Sequence, residues 1–233
     1  MKKLSVLALT ILMMSCGNDT NHNFTLQGHI KGLKKGTVYL QKQQDSTMVT
    51  IDSLEINGND NFQLHSNLEE PEVLFLKLDK NDSDDATVVF FADKGITQVN
   101  STLKNFNIDA NITGSKQQTV LDEYLVMMSR FNDRNLDLIK ESFEANKTVD
   151  STDFNFETEY NSLLKRKYLY TINFAVNHKD SEVSPYLALS EIPNTTVKYL
   201  ETIYDALDDT IKTSKYGKQL KTTIETRKTE DTL

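Results

Sequence analysis

Apolar and polar residues alternate along the first half of the chain, between Phe24 and Ile112. Phe24, Leu26 and Ile30 fall on one face of an extended segment, and the residues between them fall on the other. Alternation of period two predicts half-buried β-strands and argues against helices in this stretch. The predicted strands are 24–30, 38–40, 54–56, 62–64, 73–78, 87–91, 96–100 and 106–112.

Turn residues separate these predicted strands. Asn57-Gly58 lies between 54–56 and 62–64 and predicts a hairpin that joins them. Short strands joined by Gly, Asn and Asp turns are typical of an antiparallel sandwich or barrel, here of about eight strands.

From Gly114 onward the apolar spacing becomes helical. Ser115 followed by Gln118 has the pattern of a capping box. Ser184-Pro185 predicts an N-cap with Pro at the first helical position, and Pro193 predicts the end of that helix. The helical stripes are Leu121, Tyr124, Leu125 and Met128; Tyr160, Leu164, Tyr168 and Ile172; Val197, Leu200, Tyr204 and Leu207; and Tyr216, Leu220 and Ile224.

Strands therefore precede helices along the chain, which predicts an α+β fold with an N-terminal antiparallel β-sandwich or barrel followed by a helical region. The pattern divides the chain into a signal peptide (1–15), a polar tether (16–23), the β-sandwich domain (24–114), the helical region (115–228) and a tail (229–233).

The first fifteen residues have the layout of a secretory signal. Lys2 and Lys3 precede an uncharged apolar run over residues 4–14, and Ser15 follows it. The run is too short for a membrane-spanning helix, which needs about 20 apolar residues. An N-terminal anchor or a buried helix is the alternative, and the polar residues directly after Cys16 disfavour it.

Cys16 is the only cysteine, and its place directly after the apolar run is typical of a lipoprotein signal. Met13 and Met14 depart from the usual Leu-Ala pair. Acyl chains such as palmitate on Cys16 would act as a membrane anchor, at about 0.8 kcal/mol per buried methylene. We expect an exported protein held in the cell envelope, at the outer membrane and facing the periplasm. Lipidation would leave no free thiol for disulfide, redox or nucleophilic chemistry.

Charge excludes some partners. Cleavage before Cys16 would remove Lys2 and Lys3 and leave 24 basic against 34 acidic residues, a net charge of −10. Such a surface repels nucleic-acid phosphates and anionic lipid head groups. We therefore expect no nucleic-acid partner, and membrane contact through the lipid on Cys16.

The strand motifs resemble a known domain. The stretch 24–40, with Gly28-His29-Ile30 and Gly36-Thr37-Val38-Tyr39-Leu40, is similar to the start of an N-terminal domain of unknown function (DUF4369-like) in Bacteroidetes lipoproteins. Asp52-Ser53 with Ile56-Asn57-Gly58 and Phe62 resembles its next block, and Ile112-Thr113-Gly114-Ser115 its exit. The later helices, with Tyr216-Gly217-Lys218 in the last, are similar to linker helices of such proteins.

In that family the domain usually precedes a thioredoxin-like thiol–disulfide oxidoreductase domain. This chain has no Cys-x-x-Cys motif and no second cysteine, so we expect the domain here without its redox partner domain. The resemblance implies fold and compartment but transfers no catalytic residue. It also implies a separate thioredoxin-like envelope protein as a possible partner.

Metal sites have weak support in the sequence. The four histidines are His22, His29, His65 and His178. None of them has the spacing of a metal site to another histidine, a cysteine or a pair of carboxylates. If the strands of His29 and His65 were neighbours, a surface zinc site could form between them, although ordinary exposed histidines are favoured. We expect no bound metal and no cofactor.

The run from Asp79 to Asp85 resembles the start of a calcium loop, through Asp79, Asn81, Ser83 and Asp85. Asp84 occupies the position that needs glycine, and Phe90 occupies the position that needs a bidentate Glu. A charged hairpin loop is the better interpretation.

Catalytic patterns are also weak. There is no Gly-x-Ser-x-Gly elbow, and Asp52-Ser53 would point to opposite faces of a strand. The segment 32–36 lacks the length of a phosphate loop and the Ser or Thr that should follow. The carboxylate pairs Glu69-Glu70, Asp84-Asp85 and Asp208-Asp209 are interpreted as solvated surface rather than as a glycosidase site.

Two further features bear on binding. Lys165-Arg166-Lys167 is interpreted as a solvated helix face, with an anionic partner as the alternative, and the aromatic stripe of that helix as core. The absence of Trp disfavours sugar binding.

The expected function is that of a non-catalytic, lipid-anchored envelope protein that acts as a binding module. Three alternatives stay open: an accessory protein of a thioredoxin-like partner, a hydrolase whose carboxylates converge only in three dimensions, and a truncated gene product that has lost its working half.

Overall fold

The structure is a computed structural model that describes residues 22–80, 86–145 and 155–230. In this part of the chain eight strands come first and six helices follow, which confirms the predicted α+β class. The strands are β1 Phe24–Lys31, β2 Lys35–Gln44, β3 Thr47–Asn57, β4 Asn61–Ser66, β5 Glu72–Asp79, β6 Ala86–Ala92, β7 Gly95–Thr102 and β8 Asn111–Thr113. The helices are α1 Lys116–Ala145, α2 Phe156–Asn177, α3 Val183–Ser190, α4 Val197–Ala206, α5 Asp209–Lys212 and α6 Lys215–Glu230.

The strands form two four-stranded sheets. The first sheet has the order β4-β1-β7-β8, and the second has the order β3-β2-β5-β6. Every pair is antiparallel except β1 with β7, which run parallel with Phe24 opposite Gly95 and Lys31 opposite Thr102. Between these two strands the chain forms the four strands of the second sheet and β4 of the first, and β7 then lies beside β1 in the same direction.

The core lies between the two sheets. Leu26 and Val99 enter it from the first sheet, and Leu40, Leu76 and Phe90 enter it from the second; all five are fully buried. Their neighbours in sequence face outward, as the period of two predicted. Burial of these apolar side chains is the main favourable term in forming the sandwich.

The hairpin predicted at Asn57-Gly58 is wrong. Gly58 has the positive φ of +91° that a tight turn needs, but β3 pairs with β2 while β4 pairs with β1. The turn therefore carries the chain from the second sheet to the first. Ile56 and Phe62 on either side of it are both buried in the same core, which they enter from opposite sheets. A local pattern cannot distinguish this arrangement from a hairpin.

The predicted strand 106–112 is also mostly wrong. Only Asn111–Thr113 forms a strand, and a turn replaces the rest. The Thr102 hydroxyl donates to Asp109 Oδ2 over 2.7 Å, and the Asp109 N–H donates to the carbonyl of Asn105 over 2.8 Å. Asn, Asp and Thr side chains compete with strand pairing through such local hydrogen bonds.

The helices pack on the outer face of the second sheet. Val73 of β5 and Phe91 of β6 point away from the sandwich core and lie under Tyr124 of α1, Leu187 of α3 and Tyr216 of α6. The helices thus cover part of the outer face of the second sheet, around Val73 and Phe91, while Val89 of β6 stays 46% exposed. A further cluster, built from Ile172, Ala188, Leu200, Ile203 and Leu220, joins the helices to one another.

The two predicted helix starts differ in outcome. At α1 the Gln118 N–H donates to Ser115 Oγ over 2.9 Å, as a capping box requires, but the Gln118 side chain bonds Phe91 and Asp122 instead of the N-cap. The prediction at Ser184-Pro185 is wrong, because α3 begins at Val183. The N-cap is Glu182, whose side chain makes no capping hydrogen bond, and the Val183 N–H donates to Ser181 Oγ over 3.2 Å.

The aromatic stripe of α2 is core only in its second half. Ile172 is buried and Tyr168 is half-buried, whereas Tyr160 is 39% exposed. In the first half of the helix the buried position is Leu163, one residue away from the predicted stripe.

Thr97 should lower the stability of the sandwich. It is 1% exposed, and its Oγ1 has no hydrogen-bond partner among the described residues. We expect Thr97→Val to raise the free energy of unfolding by about 1–2 kcal/mol in urea denaturation, because a buried unpaired hydroxyl is replaced by a methyl group.

Thr171→Val is the matched control. Thr171 is also buried, but its Oγ1 lies 2.8 Å from the Tyr124 hydroxyl and donates to the Lys167 carbonyl over 3.0 Å. This substitution should lower the free energy of unfolding. A loss of stability in Thr97→Val would show that its hydroxyl is satisfied in solution.

Candidate functional site

Cys16, the predicted lipid attachment site, lies outside the described residues. The first described residues are His22 and Asn23, which precede β1. The Asn23 side chain ties this start to the sandwich, because its Nδ2 donates to the Leu68 carbonyl over 2.8 Å and its Oδ1 accepts the Leu68 N–H over 2.8 Å.

The structure separates the two histidines of the conditional zinc site. Their strands, β1 and β4, are neighbours, but His65 lies opposite Thr25 while His29 lies opposite Asn61. Four residues of strand separate the two positions, roughly 13 Å. His29 faces Asp60, His65 stacks on His22, and no group of metal-ligating side chains occurs in the described residues.

The other histidine and the calcium-loop run add no site. His178 ends α2, where its ring Nδ1 lies 2.9 Å from the Phe174 carbonyl and its Nε2 lies 3.6 Å from Glu123. Asp79 ends β5, and 81–85, which include Asp84-Asp85, lie outside the described residues. The antiparallel pairing of β5 with β6 fits the predicted hairpin.

Asp52 has a structural role that the sequence did not indicate. One carboxylate oxygen accepts the Ser53 N–H over 2.8 Å, and the other accepts the His65 N–H over 2.7 Å. Asp52 thereby connects β3 of the second sheet to β4 of the first.

The predicted solvated charges are solvated only in part. Glu69 is exposed, but Glu70 accepts a hydrogen bond from the backbone of α6, and Asp208 pairs with Lys179 over 3.0 Å. In the basic cluster Lys165 and Arg166 are exposed, whereas Lys167 lies 3.1 Å from Glu191.

The most elaborate polar cluster lies where α6 begins, against the β4–β5 connection. Lys215 donates its backbone N–H to Glu70 Oε2 over 2.9 Å, and its Nζ forms an ion pair with Glu72, which is 8% exposed. The next residue, Tyr216, accepts the Val73 N–H on its hydroxyl over 2.9 Å. Carboxylates are favoured at a helix N-terminus, where free N–H groups and the helix dipole meet. The sandwich thus caps α6.

A buried carboxylate supports this cluster from the helical side. Glu182 is 6% exposed, and its Oε2 accepts the Ser214 hydroxyl over 2.6 Å. Burial raises the pKa of the Glu182 carboxyl above its ordinary value; the Ser214 hydrogen bond lowers it, and the nearby carboxylates of Glu70 and Asp93 raise it further. Stability from this group is therefore present at acidic pH and decreases as pH rises through the shifted pKa.

Aromatic side chains pack beneath the cluster. Phe91, Tyr186 and Tyr216 meet edge to face, with ring centroids 5.4 to 5.7 Å apart. Burial raises the pKa of the Tyr216 phenol well above its ordinary value, so this group is a neutral hydrogen-bond partner.

Two adjoining openings flank Lys215, and together we call them the junction groove. One has a volume of about 400 Å³ and the other about 450 Å³. Both are lined by Gln43, Asp45, Lys215 and Gln219. The first opening has an apolar floor of Val73, Phe75, Tyr186, Leu189 and Tyr216. The second has a charged rim that includes Lys42, Glu69, Glu70, Glu72 and Lys218.

The tip of the β2–β3 hairpin forms one wall of the junction groove. Asp45 at this tip has a positive φ of 52°, which Asp tolerates better than most residues. The Gln43 side chain donates to the Asp45 carbonyl over 3.1 Å and holds the tip in place.

Sequence reasoning did not identify this site. Lys215 is 145 positions from Glu70 and 143 from Glu72, so no local pattern could indicate that they meet. The local signal at this site is the Tyr216-Gly217-Lys218 motif, which resembles part of a linker helix and by itself indicates no binding site. Gly217 permits close packing there, since a Cβ would lie 2.0 Å from the Ile211 carbonyl oxygen.

Comparisons with known proteins identify one part of the chain. Residues 24–121 match the family model described as Domain of unknown function (DUF4369). The matched region contains all eight strands and ends inside α1. No curated protein and no solved structure matches the chain.

Among the described residues, none of the helices combines the length and the apolar character needed to cross a bilayer.

Proposed function

We propose that the protein is a lipid-anchored component of the cell envelope that binds its ligand in the junction groove, and the match of residues 24–121 to the DUF4369 family model supports an envelope role. The chain would be held at the membrane through Cys16 and would face the periplasm at the outer membrane. The lipoprotein-like signal before Cys16 supports this location.

The junction groove is the observation that carries the proposal. Its two openings fall in the size range of ligand pockets, roughly 300–1,000 Å³. It combines an apolar floor with a small number of convergent polar groups, and it lies at the contact between two structural layers, where binding sites often occur. The hydrogen bonds of Glu70, Lys215 and Tyr216 hold its walls in one arrangement.

The contacts of the carboxylates favour binding over hydrolysis. A carboxylate hydrolase needs two close carboxyl groups in a cleft, one with a raised pKa. Glu70 and Glu72 line the junction groove, but both are held by Lys215. Glu182 has the raised pKa, but it is buried and bonded to Ser214.

The alternative is an accessory role with a separate thioredoxin-like protein. The DUF4369 match supports it, because the domain resembles the module that precedes thioredoxin-like domains in other lipoproteins. In that case the junction groove would be occupied by the partner.

Site-specific photo-crosslinking in the host cell tests the proposal. A photoreactive side chain replaces Gln219, which lines both openings and is exposed, and in a control chain it replaces the exposed Lys104 on the β7–β8 connection. We expect an adduct from position 219, absent from the control and lost when Ser190→Trp fills the groove wall. Mass spectrometry then shows whether the adduct is a small molecule or a protein with a Cys-x-x-Cys motif.

Cys16→Ser in the same strain tests the anchor separately. This chain should take up no labelled palmitate and should lose any adduct that depends on membrane attachment. Equal adducts at both positions, or none at either, would count against the junction groove. Palmitate on the Cys16→Ser chain would count against lipidation at Cys16.

A further inference from the structure

Three of the four arginines in the chain line a single pocket. The fourth, Arg227, bonds the carbonyls of Pro193 and Thr195 in the helical region. The pocket lies between α1 and α2, has a volume of about 180 Å³, and is lined by Met127, Arg130, Phe131, Arg134, Leu163 and Arg166. We call it the arginine pocket. In a chain with 34 acidic residues, this convergence of guanidinium groups is a local concentration of positive charge.

The guanidinium groups differ in their partners. Arg134 Nη1 donates to Glu141 Oε1 over 2.7 Å. Within residues 22–80, 86–145 and 155–230, no carboxylate forms an ion pair with Arg130 or Arg166. Arg130 and Arg134 are one helical turn apart on α1, and Arg166 approaches from α2. Among the described residues, two guanidinium groups without a carboxylate partner therefore border one opening.

The floor of the arginine pocket is apolar. Met127 and Phe131 of α1 are half-buried, and Leu163 of α2 is 6% exposed. A bare inorganic anion would use the guanidinium groups and leave this floor in contact with water. A ligand with a carboxylate beside a large apolar group would use both features.

We propose that the arginine pocket binds an acidic segment of a partner protein that presents a carboxylate next to a large apolar side chain. Arg130 and Arg166 bind the carboxylate, and Met127, Phe131 and Leu163 contact the apolar side chain. This assigns a function to Arg166, which the sequence alone placed in a solvated basic cluster. The inference is independent of the junction groove and of the lipid on Cys16.

Charge around the arginine pocket favours a narrow ligand over a membrane surface. Asp137 and Glu141 of α1 and Glu159 of α2 lie close enough to Arg134 to raise the pKa of its guanidinium group. Asp133, between the two arginines of α1, is exposed. These carboxylates would repel an extended anionic surface. A single acidic side chain is narrow enough to pass between the carboxylates and reach Arg130 and Arg166.

Peptide display against the purified full chain in mild detergent tests this inference. We expect enriched peptides to contain Asp or Glu adjacent to Leu, Ile or Phe. The best enriched peptide, measured by fluorescence anisotropy, should bind the Arg130→Gln/Arg166→Gln chain at least about tenfold more weakly, because two charge-assisted contacts are lost.

Two further variants distinguish binding in the arginine pocket from a general effect of positive charge on this helix face. Lys165→Gln removes the same charge one residue from Arg166, outside the pocket lining, and should leave the affinity unchanged. Glu141→Gln should tighten binding about threefold, because it frees the Arg134 guanidinium. All these positions are at least partly exposed, so circular dichroism should show the same unfolding midpoint as the parent chain.

Three outcomes would overturn the inference. The first is selection of peptides without acidic residues. The second is equal loss of affinity in Lys165→Gln and in the double variant. The third is binding of inorganic phosphate, or of phosphatidylglycerol vesicles over phosphatidylcholine vesicles, that depends on Arg130 and Arg166 when no peptide binding does.

Discussion

Gly217→Ala is expected to lower the free energy of unfolding by about 3 kcal/mol or more. An added Cβ would lie 2.0 Å from the Ile211 carbonyl oxygen and 2.8 Å from that of Lys212. Both atoms belong to the backbone of α5, so relief requires α5 or α6 to move. In a solvent-exposed helix with no neighbour at that position, the same substitution would raise the free energy of unfolding by about 1 kcal/mol. A decrease would therefore show that the backbones of α5 and α6 are in close contact at Gly217.

Urea denaturation followed by circular dichroism measures this effect, since the chain has no tryptophan to use as a fluorescent probe. Thr222→Ala is the control, because Thr222 lies in the same helix and is exposed. It should change the free energy of unfolding by less than about 0.5 kcal/mol. A Gly217→Ala chain as stable as the parent would mean that α5 and α6 separate at little cost.

Phe91→Ala is expected to lower the free energy of unfolding by about 3–5 kcal/mol. Phe91 is fully buried on the outer face of β6, where its ring meets Tyr186 and Tyr216 at 5.6 and 5.7 Å. Its loss leaves a cavity between the second sheet and the helices, where little else can fill it. A typical domain has a free energy of unfolding of about 5–15 kcal/mol, so the expected loss is a large fraction of the total stability.

Hydrogen exchange gives the more specific measurement. In the Phe91→Ala chain, amides of α3 and α6 should lose protection before amides of β1 and β7, because the junction weakens first. Val89→Ala on the same strand is the control; Val89 is 46% exposed and should change stability by less than about 1 kcal/mol. Uniform loss of protection across sheets and helices would show that the chain unfolds as one unit.

The candidate sites differ in how far the sequence could indicate them. Cys16 depends on a local pattern, so the sequence alone identifies it as a candidate. The sequence shows the basic cluster Lys165-Arg166-Lys167, but it does not show that its members have different surroundings. Lys167 pairs with Glu191, whereas Arg166 lines a pocket with Arg130 and Arg134 of α1. The junction groove was not visible at all, because Glu70 and Lys215 come together only when the helices pack on the second sheet.

What the sequence by itself determined is local. Side chains alternate across a strand and recur every three to four residues along a helix, so patterns near Leu26 and Leu121 specified element type, order and the buried face. Strand partners were decided by the tertiary structure. Ile56 and Phe62 would be buried equally well if β3 and β4 paired in a hairpin or if they faced each other across the core. Only the packing of the two complete sheets excludes the hairpin.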